Sequence, residues 1–296
     1  MILFQLSCVL VVLIQLSQQA AIENRIVNGQ IVKSIEEYPY QVALFEKTSI
    51  NDYKFQCGGS IISKKYILTA AHCVSVPNTT QTLPAEHIFV IAGKTSVAKF
   101  DRQLAHIPNK IIKHSNYNLE FNSDGSLLNS TNDIALINLK EPLEYSETIN
   151  KVRLPKKHQS IFLIYGKTAV ATGFGRLYNN VITTDLYAVN LTIPEENELN
   201  LKISDKILIL GNEQQRGVCY GDSGGPLVVN GVQCGVTNHF ISSDSDTHVP
   251  AYCHLGKHFV FANVNHYRDW ISENSDVDEE NADNSNHLKE SSIELQ

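Results

Sequence analysis

The sequence predicts an all-β protein, a sandwich or a barrel, and three observations carry that reading. Short apolar runs follow one another at spacings of roughly ten to twenty residues, each bounded by turn residues. Few helical patterns lie between them. The single clear helical periodicity falls near the C-terminus.

The elements read off in order. QVALF (41–45) is the first strand, and SIISKKYILTA (60–70) divides into two strands at a Lys64-Lys65 turn. HIFVIAG (87–93), DIALINL (133–139), TAVATGFG (168–175), KILIL (206–210), PLVV (226–229) and HFVFANV (258–264) follow. Each has the length and the β-branched or aromatic content of a strand. NVNHYRDWI (263–271) sets Val264, Tyr267 and Ile271 on one face at spacings of 3 and 4, which predicts a helix. No internal repeat is present. Beyond Ile271 the chain turns to Asn, Ser, Asp and Glu, so 273–296 is expected to be an acidic disordered tail.

That tail explains the net charge of −7: its eight acids face Lys289 alone, and the rest of the chain is close to neutral. A near-neutral body excludes a nucleic-acid binder and a basic membrane surface. At the other end MILFQLSCVLVVLIQL (1–16) is apolar apart from Gln5, Ser7 and Gln15, and small residues follow at Ala20 and Ala21. The run is shorter than the roughly 18 apolar residues of a membrane span, so 1–21 reads as a signal peptide. Secretion into an oxidising compartment suits the cysteines. Cys8 leaves with the signal, and Cys57, Cys73, Cys219, Cys234 and Cys253 remain, an odd number that leaves one thiol over. Asn78, Asn129 and Asn190 each head an Asn-X-Ser/Thr triplet, the pattern of glycosylated surface sites.

The chemistry gathers in RGVCYGDSGGP (216–226). A serine hydroxyl is a poor nucleophile at neutral pH; it needs a base in reach, a group that orients the base, and donors for the oxyanion that forms. The glycines around Ser223 allow a tight turn in which Gly221 and Ser223 present backbone N–H groups. GDSGG also fits the G-x-S-x-G elbow of lipases and esterases, which requires a strand-turn-helix at the serine and the order Ser, acid, His. Here Gly224-Gly225-Pro226 leads into the strand PLVV, and the candidate base and acid come earlier in the chain: His72 in LTAAHC and Asp133 in TNDIALINL. The elbow reading fails.

With IVNG (26–29), CGGSII (57–62), LTAAHC (68–73), NDIALI (132–137), TGFG (172–175) and GDSGGP (221–226) in this order, the chain resembles a chymotrypsin-fold (trypsin-like, S1) serine protease over most of 26–271. The resemblance implies two packed six-stranded antiparallel β-barrels with a C-terminal helix. It assigns Ser223 as nucleophile, His72 as general base and then acid, and Asp133 as the orienting carboxylate. Gly221 and Ser223 would form the oxyanion hole. It also implies an activation peptide, 22–25, cut after Arg25, with the new amino terminus of Ile26 pairing with Asp222. Cys57 would bridge to Cys73 and Cys219 to Cys253, which leaves Cys234; a Cys219–Cys234 bridge is the alternative, but the apolar strand pattern around Cys234 favours a small buried thiol. Ala169 and Val229 stand where another bridge of the family would be.

The substrate pocket departs from the family's pattern. Gly217 takes the place of the aspartate that trypsin-like enzymes use against Arg or Lys, so a cationic side chain would find no counter-charge. Asn238, His239 and Phe240 stand where Ser-Trp-Gly is usual, and Phe259 aligns with a wall glycine. Small apolar or chymotrypsin/elastase-like residues are therefore expected at P1. The alternative is a catalytically weak or inactive homologue acting as a binding or regulatory protein. Neither cofactor nor metal is implied: Asp101 is the one acid in VAKFDRQ (97–103), where some relatives bind calcium. The expected partners are protein or peptide substrates, an activating trypsin-like protease and protease inhibitors. The expected state is a secreted monomer with no nucleic acid or membrane partner.

Overall fold

The computed structural model describes residues 29–123, 127–158, 164–176, 183–195, 206–211, 217–242 and 256–278. The first half forms strands β1 (Gln30–Ile31), β2 (Gln41–Ser49), β3 (Asp52–Ile61), β4 (Tyr66–Thr69), β5 (Ile88–Ala92), β6 (Ala105–His106), β7 (Pro108–Lys113), β8 (Asn118–Phe121), β9 (Leu127–Thr131) and β10 (Ala135–Leu139). The second half forms β11 (Thr168–Gly173), β12 (Tyr187–Thr192), β13 (Ile207–Gly211), β14 (Pro226–Val229), β15 (Val232–Ser242), β16 (Gly256–Asn263) and the short helix α1 (Arg268–Glu273).

Every described pairing between these strands is antiparallel, in two large sheets. The first runs β6-β5-β2-β3-β4-β10-β7. Only Ile107 separates β6 from β7; β6 pairs with β5 while β7 pairs with β10, so one bent run closes six strands into a barrel. Closure leaves no open edge for another chain to pair with. The second sheet runs β12-β11-β14-β15-β16-β13, six strands of the C-terminal half, and β1 adds to its edge. The all-β two-barrel expectation thus holds. β8 and β9 form a separate hairpin between β7 and β10, which the sequence reading did not resolve.

Apolar side chains fill each barrel, as alternation along half-buried strands requires. The first core includes Leu44, Ile61, Ile67, Leu68, Ile88, Leu136 and Ile137. The second includes Ala169, Leu191, Leu210, Val229, Phe259 and Phe261. Ala169 and Val229 each lie one residue outside the paired Val170 and Val228, so apolar packing stands where the family's bridge would be. A third cluster, with Ala43, Phe45, Phe89, Phe174 and Leu186, packs at the seam of the two barrels. Polar bonds cross that seam as well: Thr172 Oγ1 donates to Gln41 Oε1 at 2.6 Å, and Ser60 Oγ donates to Gln233 Oε1 at 2.7 Å. Both pairs are buried, so losing one partner would strand the other without water.

Val264, Tyr267 and Ile271 are buried together as the predicted face, although the helix begins only at Arg268 and turns occupy 264–267. Packing continues six residues into the segment that composition assigns to the tail. Val277 is 3% exposed, and Asp278 pairs with Arg268 and, at 2.9 Å, with Lys157.

Cys57 and Cys73 are bridged across a sequence separation of 16. A loop of that size is worth about 3 kcal/mol in the chain-entropy model. Replacing both cysteines by serine is expected to lower unfolding stability by about that amount, read by denaturant titration; an unchanged midpoint would show that the bridge constrains nothing.

Candidate active site

Two of the candidate side chains come from the first barrel. Strand β4 ends at Thr69, and buried Ala70 and Ala71 carry the chain into a 3-10 turn that starts at His72. Asp133 sits two residues before β10, behind Asn132, whose backbone is left-handed at φ 51°. Asn132 is held there by its own amide, which donates to Asn116 O at 2.9 Å, and by Tyr267 Oη, which donates to its Oδ1 at 3.3 Å. Asn tolerates this conformation better than most residues. The sequence reading named Asp133 but missed Asn132 as its anchor; the Asn-Asp dipeptide after a Ser-Thr run was the available signal.

Asp133 takes His72 at two points. The His72 backbone N–H donates to Oδ1 at 2.9 Å, and the ring Nδ1 lies 2.7 Å from Oδ2. The carboxylate is 3% exposed, and the imidazole side chain is 34% exposed. Burial alone would raise the Asp133 pKa, but the His72 charge and hydrogen bonds outweigh it and hold the carboxyl below the ordinary carboxylate range. For His72 burial pulls the pKa down, while the Asp133 charge and hydrogen bond prevail and leave it raised.

Ser223 comes from the second barrel, in the turn that precedes β14. Gly221 (φ 98°) and Gly224 (φ 76°) take backbone conformations that other residues rarely adopt, and a Cβ on Gly224 would lie 2.2 Å from Thr69 Oγ1. The turn is fixed to the first barrel by Gly58 N–H donating to Ser223 O at 2.8 Å, and to β15 by Gly224 N–H donating to Thr237 O at 2.7 Å. Among the described residues the N–H groups of Gly221 and Ser223 meet no acceptor. The Ser223 hydroxyl donates to Asn238 O at 3.3 Å and makes no hydrogen bond to His72.

Asp222 is 1% exposed and accepts from Cys219 N–H at 2.7 Å and Gly175 N–H at 2.8 Å. Burial raises its pKa to about 7 even though these two bonds act in the opposite direction. Arg25 and Ile26 lie outside the described residues. Cys219 is disulfide-bonded; Cys253, its expected partner, is also outside them. Cys234 is a free, buried thiol, its pKa pushed up to about 12 by burial. Cys57, His72 and Cys73 bring three potential metal-ligand atoms within 4.8 Å, but both sulfurs are spent in the disulfide.

Of the predicted pocket residues, Phe259 meets Gly217. The Phe259 ring is fully buried against it: a Cβ on Gly217 would stand 1.8 Å from Phe259 Cζ. Asn238 is buried; with its amide nitrogen donating, it reaches Asp133 O at 3.3 Å and Val236 O at 3.1 Å. That tie between β15 and the Asp133 main chain has no signature in the sequence. His239 is half-buried, its Nδ1 without a partner, and burial lowers its pKa. Phe240 stands opposite Phe259 in the β15–β16 ladder. Asn78, Asn129 and Asn190 are all exposed.

A family model described as trypsin matches residues 26–271. The chain is 32% identical over 242 residues to a chymotrypsin-2 of Vespa crabro, covering 80% of this chain and 94% of that protein. It is 32% identical over 257 residues to a chymotrypsin of Phaedon cochleariae (85% and 82% covered). It is also 29% identical over 250 residues to the serine protease SP24D of Anopheles gambiae (83% and 80% covered). Fold and likeness together define a serine endopeptidase, a hydrolase of protein or peptide substrates. The chain belongs to the trypsin family of chymotrypsin-fold (S1) serine proteases.

Proposed function

We propose that this endopeptidase works through His72, Asp133 and Ser223, is secreted, and is made as a zymogen. The observation that carries the reading is the doubly bonded His72–Asp133 pair, set at the barrel seam beside a serine turn with two N–H groups that meet no acceptor among the described residues. Asp133 keeps the proton on Nδ1, which leaves the Nε2 lone pair to accept one. In the reaction the Ser223 hydroxyl turns from Asn238 O to Nε2 and gives up its proton as Oγ attacks the substrate carbonyl. The oxyanion settles on the N–H groups of Gly221 and Ser223. Nε2–H then protonates the leaving amine, and water repeats the sequence on the acyl-enzyme. Asp133 stabilises the imidazolium formed along the way without itself being protonated.

Residues 1–21 act as the signal and 22–25 as the activation peptide, removed by a trypsin-like protease cutting after Arg25; the acidic tail begins after the packed residues 273–278. Glycans sit on Asn78, Asn129 and Asn190. The mature enzyme is an extracellular monomer subject to protease inhibitors. Among the described residues no helix is long and apolar enough to cross a membrane. P1 preference is for small apolar or chymotrypsin/elastase-like residues and not for Arg or Lys, since Gly217 brings no carboxylate to the pocket. The test is to cut the purified protein after Arg25 and profile cleavage on a mixed peptide library. Cleavage after small apolar residues is expected; cleavage confined to Arg and Lys would refute the specificity.

The pH profile gives a second check. The base must be neutral, so kcat/KM should fall as pH drops through a pKa held above the ordinary 6.5 by Asp133. Asp133→Asn removes the charge that raises it and should move this acid limb to lower pH, together with a loss of about 10⁴ in kcat. A limb at the same pH in both proteins would detach Asp133 from His72.

One observation favours a second reading, a binding or regulatory homologue with little turnover: the Ser223 hydroxyl rests on Asn238 O and not on the imidazole. Cut protein that cleaves nothing in the library would support it.

A further inference from the structure

The last described residues are fastened to the connection between the two barrels. Val277 is buried and lines a groove with Ile62, Val152 and Leu154, flanked by Lys151 and Arg153. Asp278 follows and pairs with Lys157 at 2.9 Å and with the buried Arg268. Arg268 is itself fixed, its Nε donating to Pro155 O at 2.9 Å and its Nη1 to Ser272 Oγ. Burial would raise the Asp278 pKa, but its bonds with Lys157, Arg268 and Ser272 hold the carboxyl at about 2, so it stays ionised.

The two stretches that meet here have opposite charge. KVRLPKK (151–157) carries four cations in seven residues, Lys151, Arg153, Lys156 and Lys157, and no acid. Arg153, Lys156 and Lys157 are exposed, and Lys151 is half-buried. The residues after Asp278 are EENAD (279–283), three acids without a cation, and they lie outside the described residues. Five extended residues reach at most about 17 Å, so these acids stay in the neighbourhood of Lys157. Exposed ion pairs are individually weak, but a tether makes each further contact intramolecular, at an effective concentration on the order of millimolar. Val277 and Asp278 are that tether.

We propose that the cationic connection 151–157 is an interaction surface whose occupant is the chain's own segment 279–283, its acids lying over Lys151, Lys156 and Lys157. Complementary charge sets this pairing, and the anchor at 277–278 aims it. The docked acids neutralise a strip that would otherwise attract an anionic polymer. Composition alone assigns 279–283 to a solvated tail; the packed residues before it supply the direction that composition lacks. His72, Asp133 and Ser223 take no part, so the docking stands or falls apart from the endopeptidase reading.

The contact is read by zero-length carbodiimide coupling of the dilute full chain, mapped by mass spectrometry. A carboxyl of Glu280 or Asp283 should be joined to the amine of Lys151, Lys156 or Lys157 within one molecule. The yield should fall several-fold in about 1 M salt, where the screening length is about 3 Å. No such product, one found only between two molecules, or one equally abundant in high salt overturns the proposal.

A second measurement is the salt needed to elute the protein from heparin, a sulfated polysaccharide. A chain ending at Asp278 should elute at higher salt than the full chain, because the strip is uncovered. Lys151→Gln/Lys156→Gln should erase most of that difference, with circular dichroism confirming the fold of each protein. An equal shift on truncation in both backgrounds would show that the tail acts through net charge alone. That result, or no shift at all, overturns the proposal.

Discussion

Ser223→Ala is expected to abolish peptide hydrolysis, lowering kcat on the order of 10⁶-fold while leaving the fold intact. The loss is large because the nucleophile, the imidazole and the carboxylate act as one unit. The structure gives the reason for the intact fold. Among the described residues the Ser223 hydroxyl makes a single hydrogen bond, to Asn238 O at 3.3 Å, and the turn is held by backbone bonds to Gly58 and Thr237 that the substitution does not touch. Its removal should cost no more than about 1 kcal/mol. Turnover by the cut variant is followed with the best library peptide, and stability by urea titration. Hydrolysis at more than a trace of the wild-type rate would transfer the nucleophile elsewhere.

The second large effect concerns the cut after Arg25. Arg25→Gln should leave the enzyme at least on the order of 10²–10³ less active after treatment with trypsin, the cost of losing an oxyanion donor. The reason lies in Asp222. In the uncut chain residue 26 contributes a neutral amide nitrogen, and the buried Asp222 carboxyl has its pKa raised from 3.8 to about 7. A raised carboxyl holds its proton more tightly in the folded state than in the unfolded one. Its stabilisation is therefore complete below about pH 4 and is lost as pH rises through about 7, a swing of roughly 4 kcal/mol. Ionised Asp222 then strains the turn that carries Gly221 and Ser223. In the proposed activation the freed ammonium of Ile26 would supply the missing partner, lower the pKa and remove the penalty. Denaturant titrations of uncut protein at pH 5 and pH 8 should show a loss of stability that Asp222→Asn does not share. Equal losses in the two proteins would separate Asp222 from activation.

Much of this was legible in the sequence because the chemistry leaves local marks. His72, Asp133 and Ser223 each sit in a short stretch with its own pattern, and the strands that carry them are apolar runs of readable length. The pairing of Cys57 with Cys73 follows the family resemblance and the buried thiol of Cys234 the apolar pattern around it, and both are present in the structure. The less legible features are those made by contact between distant segments. Asn238 reaching the Asp133 carbonyl, and Thr172 meeting Gln41, depend on how two barrels meet, which no periodicity records. The hairpin β8–β9 escaped because it is short and mostly exposed: Asn118–Phe121 alternates polar and apolar residues over only four positions, too few to mark a strand. The helix was placed early because Val264 shares a buried face with Tyr267 and Ile271 while its backbone is a turn. At the pocket, the sequence gives a glycine and a phenylalanine 42 positions apart. Only their contact turns that into a filled space.

The most direct test of the account is reaction of the cut protein with a small alkyl phosphonyl fluoride, followed by peptide mapping in a mass spectrometer. The account predicts one phosphonyl group per chain on Ser223, with little incorporation in the uncut protein and little in His72→Ala. A folded, cut protein that takes up no label at Ser223, or takes it up equally without His72, would contradict it.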